Sequence, residues 1–305
     1  MREKENLVSV GLPVYNGEKY IKKRLDNILN QTYHNIELII SDNDSNDETS
    51  DICKKYESED SRIRYFFQKN QIPITENFGF VLEKAKGKYF LWASADDLLE
   101  STFIEKNLEI LETKKNIVCS SGQVQSFGER TQFLKEKETD SKFTKWKKKI
   151  GRNFSELRNI PTNGSYEENV RLYLKLRGHE QVFYGLFRTE QLRKMMVYNL
   201  KQTFDWAVIL NGLKYGNYFV VEDTHMFRYD GGISSRGIFN MKKRLDLGLF
   251  DTIFMNGRFI FWCWKNLGKK LFLKNLDCFI QTIFDGFRYV AVDIIRSILK
   301  KIIRN

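Results

Sequence analysis

The sequence predicts an α/β fold: a mostly parallel mixed sheet flanked by helices, followed by a helical C-terminal extension. Three observations predict it. Short apolar runs of strand length alternate with amphipathic stretches of helix length along the N-terminal part of the chain, the pattern of βαβ units. Polar clusters follow directly on three of those runs, at Tyr15-Asn16, Asp42 to Asp44 and Asp96-Asp97. After Gly231-Gly232 the pattern turns helical and stays basic to the end.

Taken in order, Leu7 to Leu12 reads as a buried strand ended by Pro13, and Tyr15-Asn16-Gly17-Glu18 opens a helix with Tyr20, Ile21, Leu25, Ile28 and Leu29 at helical spacing. Ile36 to Ile40 is a second strand. The polar turn Ser41 to Asp47 supplies caps for a helix starting near Glu48, and Ile63 to Phe67 is a third strand. Thr75 to Ala85 is helical, Gly87 ends it, and Lys88 to Ala93 is a further buried strand running straight into Ser94-Ala95-Asp96-Asp97. From about Phe127 to Tyr166 the chain is Lys-rich and weakly periodic, including Lys145-Trp146-Lys147-Lys148-Lys149, which fits a loop or flap. Apolar patterning resumes from Val170 to Tyr229.

Composition narrows the function classes. The chain has 305 residues, 42% hydrophobic, and three prolines, enough for a sizeable core and too little proline for a stalk. Cys53, Cys119, Cys263 and Cys278 form no CxxC pair, so neither a disulfide framework nor a structural zinc site is expected, and a reducing compartment fits. The start of the chain shows no secretory leader pattern, and no run of 18 uncharged apolar residues occurs; a cytoplasmic location is expected. Much of the +11 formal charge lies late: residues 240–305 hold 13 Lys and Arg against 5 Asp. Such a tail suits an anionic membrane surface. No helix-turn-helix, RNA-recognition or zinc-finger pattern accompanies it, so nucleic acid is not the expected partner.

In sheets of this class ligands bind beyond the carboxyl ends of the strands, so the three polar clusters should converge on one crevice. There Asp96 can ligate a divalent cation while Asp97 holds waters or a sugar hydroxyl; capping of the next helix is the plainer reading of the pair. Asp42 and Asp44 can accept hydrogen bonds from a base and ribose, or serve only the turn. Tyr15 can stack on a base, or be an ordinary surface tyrosine beside a turn. Arg228, before Gly231-Gly232, can hold a diphosphate from a closing loop, with a surface arginine as the equal alternative. His179-Glu180 could face an acceptor or metal, although a lone histidine is more often structural.

Three segments together resemble glycosyltransferase family 2: VSVGLPVYNGEKYIKKRLDNILNQTY at 8–33, ELIISDNDSNDET at 37–49 and GKYFLWASADD at 87–97. YGLFRTEQL at 184–192 and FDWAVILNGLKYG at 204–216 extend the resemblance more loosely. It implies a Rossmann-like GT-A fold, a nucleotide-sugar donor, by family habit a UDP-sugar, and Mg2+ or Mn2+. By the same resemblance Pro13 and Tyr15 fall where the family holds the base, and Asp42 where a carboxylate contacts it. Asp96 aligns with the last acid of the Asp-x-Asp metal motif. Ser94 replaces the first acid, and Asp97 substitutes in part. Asp205 falls where the family places its catalytic base, with Phe204 in place of the usual glutamate. An inverting transfer needs such a carboxylate to take the acceptor proton; as a residue alone, Asp205 also reads as the N-cap of a helix from Trp206 to Leu213.

The resulting expectation is an inverting, metal-dependent transferase that moves a single sugar to a saccharide or lipid-linked acceptor in cell-surface glycan synthesis. Residues 1–120 would form the nucleotide-sugar-binding half, 121–239 the acceptor half with its Lys-rich flap, and 240–305 the helical extension. In that extension Phe287, Val290, Ala291, Ile294, Ile295, Ile298, Leu299, Ile302 and Ile303 form one helical stripe. It could meet a membrane, making the protein peripheral at the inner face, or pack on the catalytic body or on a second copy in a homodimer. Two other readings remain: a degenerate domain that binds glycans or partners without chemistry, and a sugar nucleotidyltransferase, which normally has a Gly-rich phosphate loop where this chain has Leu-Pro-Val-Tyr-Asn.

Overall fold

The computed structural model describes residues 5–128, 132, 159–176, 179–231, 241, 242, 245 and 247–304. The first half alternates as the sequence predicts: β1 (Val8–Val14), α1 (Glu18–Leu29), β2 (Ile36–Asp42), α2 (Thr49–Glu59), β3 (Ile63–Phe67), α3 (Ile74–Glu83) and β4 (Tyr89–Trp92). A two-residue strand, β5 (Leu98–Leu99), follows, then α4 (Phe103–Thr113) and β6 (Ile117–Phe127). Next among the described residues come α5 (Tyr166–Leu176), a 3-10 turn (His179–Tyr184), β7 (Leu186–Arg188), α6 (Thr189–Met195), α7 (Phe204–Gly212) and β8 (Asn217–Tyr229). The extension is α8 (Leu249–Ile253), α9 (Gly257–Asn266), α10 (Lys269–Lys274) and α11 (Leu276–Arg304).

Among the described residues the strands form one sheet in the order β3-β2-β1-β4-β7-β6-β8-β5. The segment β3-β2-β1-β4 is parallel throughout. Beyond β4 the sheet is mixed: β7 runs antiparallel to β4 and β6, β8 runs parallel to β6, and β5 antiparallel to β8. The β4–β7 and β5–β8 pairings also stitch the two expected halves of the chain into a single sheet.

Side-chain alternation in β4 sets the two cores. Tyr89 and Leu91 point to the face covered by Ile21, Leu25 and Ile28 of α1 and by Phe103 and Leu111 of α4. Phe90 and Trp92 point to the opposite face, under Phe78, Val81 and Leu82 of α3 and Ala207 to Leu210 of α7. The extension joins this second core through Phe259, Trp262, Cys263, Leu271, Phe272 and Phe279, with Phe259 edge-on to Trp206 at 5.7 Å. Its inner face is therefore part of the body. No helix among the described residues is long and apolar enough to cross a membrane. The four cysteines are free and buried.

Candidate active site

Two groups of residues gather beyond the carboxyl ends of β1, β2 and β4. In the first, the loop after β1 and the loop after β2 hold each other. The Asn16 amide donates to Ser45 Oγ at 2.9 Å and the Asn46 amide to Asn16 Oδ1 at 3.0 Å. The Gly17 amide donates to Thr49 Oγ1 at 2.8 Å, the Glu18 amide to Asp47 Oδ2 at 3.2 Å, and the Glu48 amide to Glu18 Oε2 at 3.1 Å. Asn16 and Asp44 sit in the left-handed region, at φ +50° and +64°, where only a residue able to bond locally is tolerated without glycine. Pro13 lies in β1 opposite Ser41, and Tyr15, half-buried, follows the last β1 pairing, Val14 with Asp42. Asp42 is fully buried: Oδ1 accepts the Ser45 amide at 3.0 Å and Oδ2 the Tyr65 hydroxyl at 2.8 Å. Its carboxylate shapes the turn, and Asp44 lies further out on the same loop.

The second group surrounds the acid pair. Asp97 is buried, and both of its oxygens are engaged: Oδ2 accepts Ser94 Oγ–H at 2.7 Å and Oδ1 the Tyr229 amide at 2.8 Å. Asp97 thus ties the loop after β4 to the end of β8. Asp96 borders an open cleft, and its carboxyl is pushed above the usual range, first by burial and then by the Asp97 charge, with Arg228 pulling the other way. A destabilised carboxylate of this kind suits a divalent cation, which relieves both causes. A single available carboxylate completed by phosphate oxygens and water is the donor set Mg2+ and Mn2+ commonly take. Among the described residues no group of three or more His, Cys, Asp or Glu could hold a metal alone.

Arg24 lies beneath the pair and escaped the sequence reading. It is buried on the apolar face of α1, donates to Asn27 Oδ1 at 2.9 Å, and leaves its Nε without a partner. Burial lowers its pKa to about 10, while Asp97 and Asp96 act to hold the proton. The signal was present, since Arg24 interrupts the stripe of Ile21, Leu25 and Ile28 with a charge that must find compensation inside. Asn27 in turn exchanges two 2.8 Å bonds with the backbone of Leu99, fixing the far end of the acid loop to α1.

Asp205 reaches the same center from another direction. Tyr184, at the end of the 3-10 turn, has its phenol pushed well above the usual range by burial and then by the charges of Asp97, Asp205 and Asp96, with Arg228 opposing. One hydroxyl therefore senses all three acids and the arginine, and it keeps its proton at neutral pH. The placement of Asp205 has an aromatic cause. Phe204 is buried against Phe78 at 5.3 Å and Phe183 at 5.4 Å, and Phe183 stacks on Trp92 at 4.3 Å. Trp92 ends β4 just before the acid loop, so this slab relates the start of α7 to Asp96. The helix begins at Phe204, with Thr203 at φ +55° before it, so Asp205 lies within the first turn and is not the N-cap. A Cβ at Gly17 would lie 3.6 Å from that of Ala95, so the first loop lies against the acid loop and the two groups form one rim. The side chains of His179 and Glu180, and most of the Lys-rich flap, lie outside the described residues.

The family model for "Glycosyl transferase family 2" matches residues 9–169, more than half of the chain. The chain belongs to glycosyltransferase family 2. Glycosyltransferase GlyG of Streptococcus pneumoniae is 33% identical over 108 residues, 35% of this chain and 36% of that protein. An uncharacterized glycosyltransferase of Haemophilus influenzae is 38% identical over 118 residues, covering 38% of this chain and 46% of the relative. These matches span less than half of either relative. Family 2 membership fits two solved structures of the same fold. TarS 1–349 of S. aureus, in complex with UDP, superposes with a TM-score of 0.54 at 16% identity, over 73% of this chain and 60% of that one. The mannosyltransferase PcManGT of Pyrobaculum calidifontis, in complex with GDP-Man and Mn2+, gives 0.55 at 12%, over 97% and 76%. The GT-A fold read from the sequence is thus the fold observed.

Proposed function

We propose that this family 2 member is an inverting glycosyltransferase that transfers a single sugar from a nucleoside-diphosphate sugar, a UDP-sugar being the first choice, to a saccharide or lipid-linked acceptor. The observation that carries the reading is the rim beyond the strand ends: the loops after β1 and β2 hold each other and lie against the loop of Asp96 and Asp97, which Asp97 ties to the end of β8 beside Arg228. The bound UDP and GDP-Man of the two structural neighbours support a nucleotide-sugar donor.

In this mechanism the rim of Pro13, Tyr15, Asn16 and Asp44, its turn shaped from within by the buried Asp42, receives the nucleoside, with Tyr15 against the base. Asp96 is the carboxylate that would hold Mg2+ or Mn2+, and Asp97 positions the loop from which it acts. A bound divalent cation would neutralise charge growing on the departing diphosphate. Arg228 supplies a fixed positive charge beside Asp96 for the same phosphates. Asp205 takes the proton from the acceptor hydroxyl as it attacks the anomeric carbon on the face opposite the leaving group, which inverts that center.

The extension adds a location. Its outer face exposes Phe250, Phe261, Trp264, Phe284, Phe287 and Ile295, with Phe284 68% exposed, and Lys265, Lys269, Lys270 and Arg288 stand on the same helices. Large apolar groups beside cations match an anionic bilayer, so the protein is proposed to sit peripherally at the inner face of the cell membrane, near lipid-linked acceptors. Co-sedimentation with phosphatidylglycerol vesicles but not phosphatidylcholine vesicles is expected; concentration-dependent dimerisation without vesicle binding would replace the membrane with a second copy.

The catalytic reading is tested by incubating UDP- and GDP-sugars with the protein, with and without Mn2+, and following nucleotide release and the anomeric configuration of the product. Metal-dependent release lost in Asp96→Ala is expected. Binding of donor without turnover on any acceptor would leave a nucleotide-sugar-binding module, and pyrophosphate release from a sugar phosphate and NTP would make it a nucleotidyltransferase.

A further inference from the structure

The cleft beside Asp96 sets aromatic rings and two lysines around one opening. It is lined by Lys19, Tyr20 and Lys23 of α1, by Asp96, and by Phe127 and Tyr229 at the ends of β6 and β8. Three aromatic rings make its wall: Tyr20 lies 5.1 Å from Tyr229, and Tyr229 5.5 Å from Phe127. The Lys19 ammonium stands 5.2 Å from the Tyr20 ring and that of Lys23 5.9 Å from the Phe127 ring. Lys19 and Lys23 are one helical turn apart, on one side of α1, so both can reach a single anion. Neither has a carboxylate partner among the described residues, whereas the buried Arg24 beside them serves the acid pair.

We propose that this cleft is the acceptor subsite and that it takes a saccharide bearing a phosphate group. The inference rests on the glycosyltransferase reading above. Aromatic faces pack against the apolar C–H face of a pyranose. The two lysines add an anion requirement that a neutral sugar does not meet. Asp96, shared by the cleft and the donor site, places the bound sugar beside the leaving group. A phosphate near the two lysines could belong to an acceptor or to the donor diphosphate, and competition separates the two sources.

The experiment measures binding of glucose 6-phosphate, methyl glucoside and inorganic phosphate to the whole chain by saturation-transfer NMR and calorimetry at low salt, with and without saturating UDP and Mn2+. Glucose 6-phosphate is expected to bind roughly tenfold more tightly than either methyl glucoside or phosphate, the scale of two exposed charge-assisted contacts added to ring packing. That preference should disappear in Lys19→Gln/Lys23→Gln, weaken with salt, and persist when UDP and Mn2+ are bound. Equal binding of the two sugars, a preference kept by the double variant, phosphate binding as tightly as the phosphosugar, or displacement by UDP and Mn2+ would each overturn the proposal. Failure of the catalytic reading looks different: no sugar would be transferred from any nucleotide sugar, whatever the phosphosugar does.

Discussion

The rim of the site and the outer face of the extension are both surfaces, yet they are built on opposite principles. The rim is polar and closed on itself, with amides of each loop donating to side chains of the other and two non-glycine residues held at positive φ. The extension buries one side of its helices in the common core and turns Phe250, Phe284 and Ile295 outward. Bond-making chemistry tolerates little displacement, so its supports are directional hydrogen bonds. Adhesion to a surface is set by apolar area and charge, and it tolerates imprecise geometry.

Four substitutions sharpen or break this contrast. The largest effect is expected at Asp96→Asn, which should lower metal-dependent turnover by about a thousandfold or more, the order seen when electrostatic stabilisation of a leaving group is lost. The same change should raise the melting temperature of the ligand-free protein, because it removes a carboxylate destabilised by burial and by Asp97. A lower melting temperature would show that the acid is structural. Next, Asp205→Asn should reduce kcat by about 10²–10⁴, the usual share of a general base, while leaving donor binding in calorimetry unchanged. Comparable loss of donor binding would move Asp205 out of the base role.

Arg24→Met keeps the volume and removes the charge. It should stabilise the ligand-free protein in urea unfolding, because burial costs the guanidinium more than Asp97 and Asp96 return; a loss of stability would show that the acid pair depends on this counter-charge. The smallest stability effect is predicted for Phe284→Ser, which should change unfolding by less than about 0.5 kcal/mol because the ring is exposed. Vesicle binding should nonetheless fall. If Phe284→Ser destabilises by about 3 kcal/mol or more, as loss of a packed ring does, the outer face is packed in solution and the contrast between the two surfaces is wrong.

Much of this was legible in the chain. Strand-length apolar runs ending in polar clusters located β1, β2 and β4 and hence the rim, because the carboxyl end of a parallel strand is where side chains converge. A mixed sheet was expected, but which strands make its mixed part was not legible: β5 has two residues, and antiparallel pairing of β7 with β4 and β6 depends on contacts between segments distant in sequence. The role of Phe204 was hidden for the same reason. Read locally it only stood where a glutamate was expected, whereas in three dimensions it anchors Asp205 through Phe78 and Phe183. Periodicity located the apolar stripe of α11 but not what it meets; Phe287, Ile294 and Ile295 face outward, while Phe279 on the same helix is buried.

The mutual hold of Asn16, Ser45, Asn46 and Thr49 has a thermodynamic consequence. The conformational entropy of these two loops is lost when the protein folds, so a nucleotide arriving at the rim has little main chain left to order. Its affinity would then register the contacts themselves. Loosening the loops, without touching any group that meets the ligand, would make each binding event bear that ordering again.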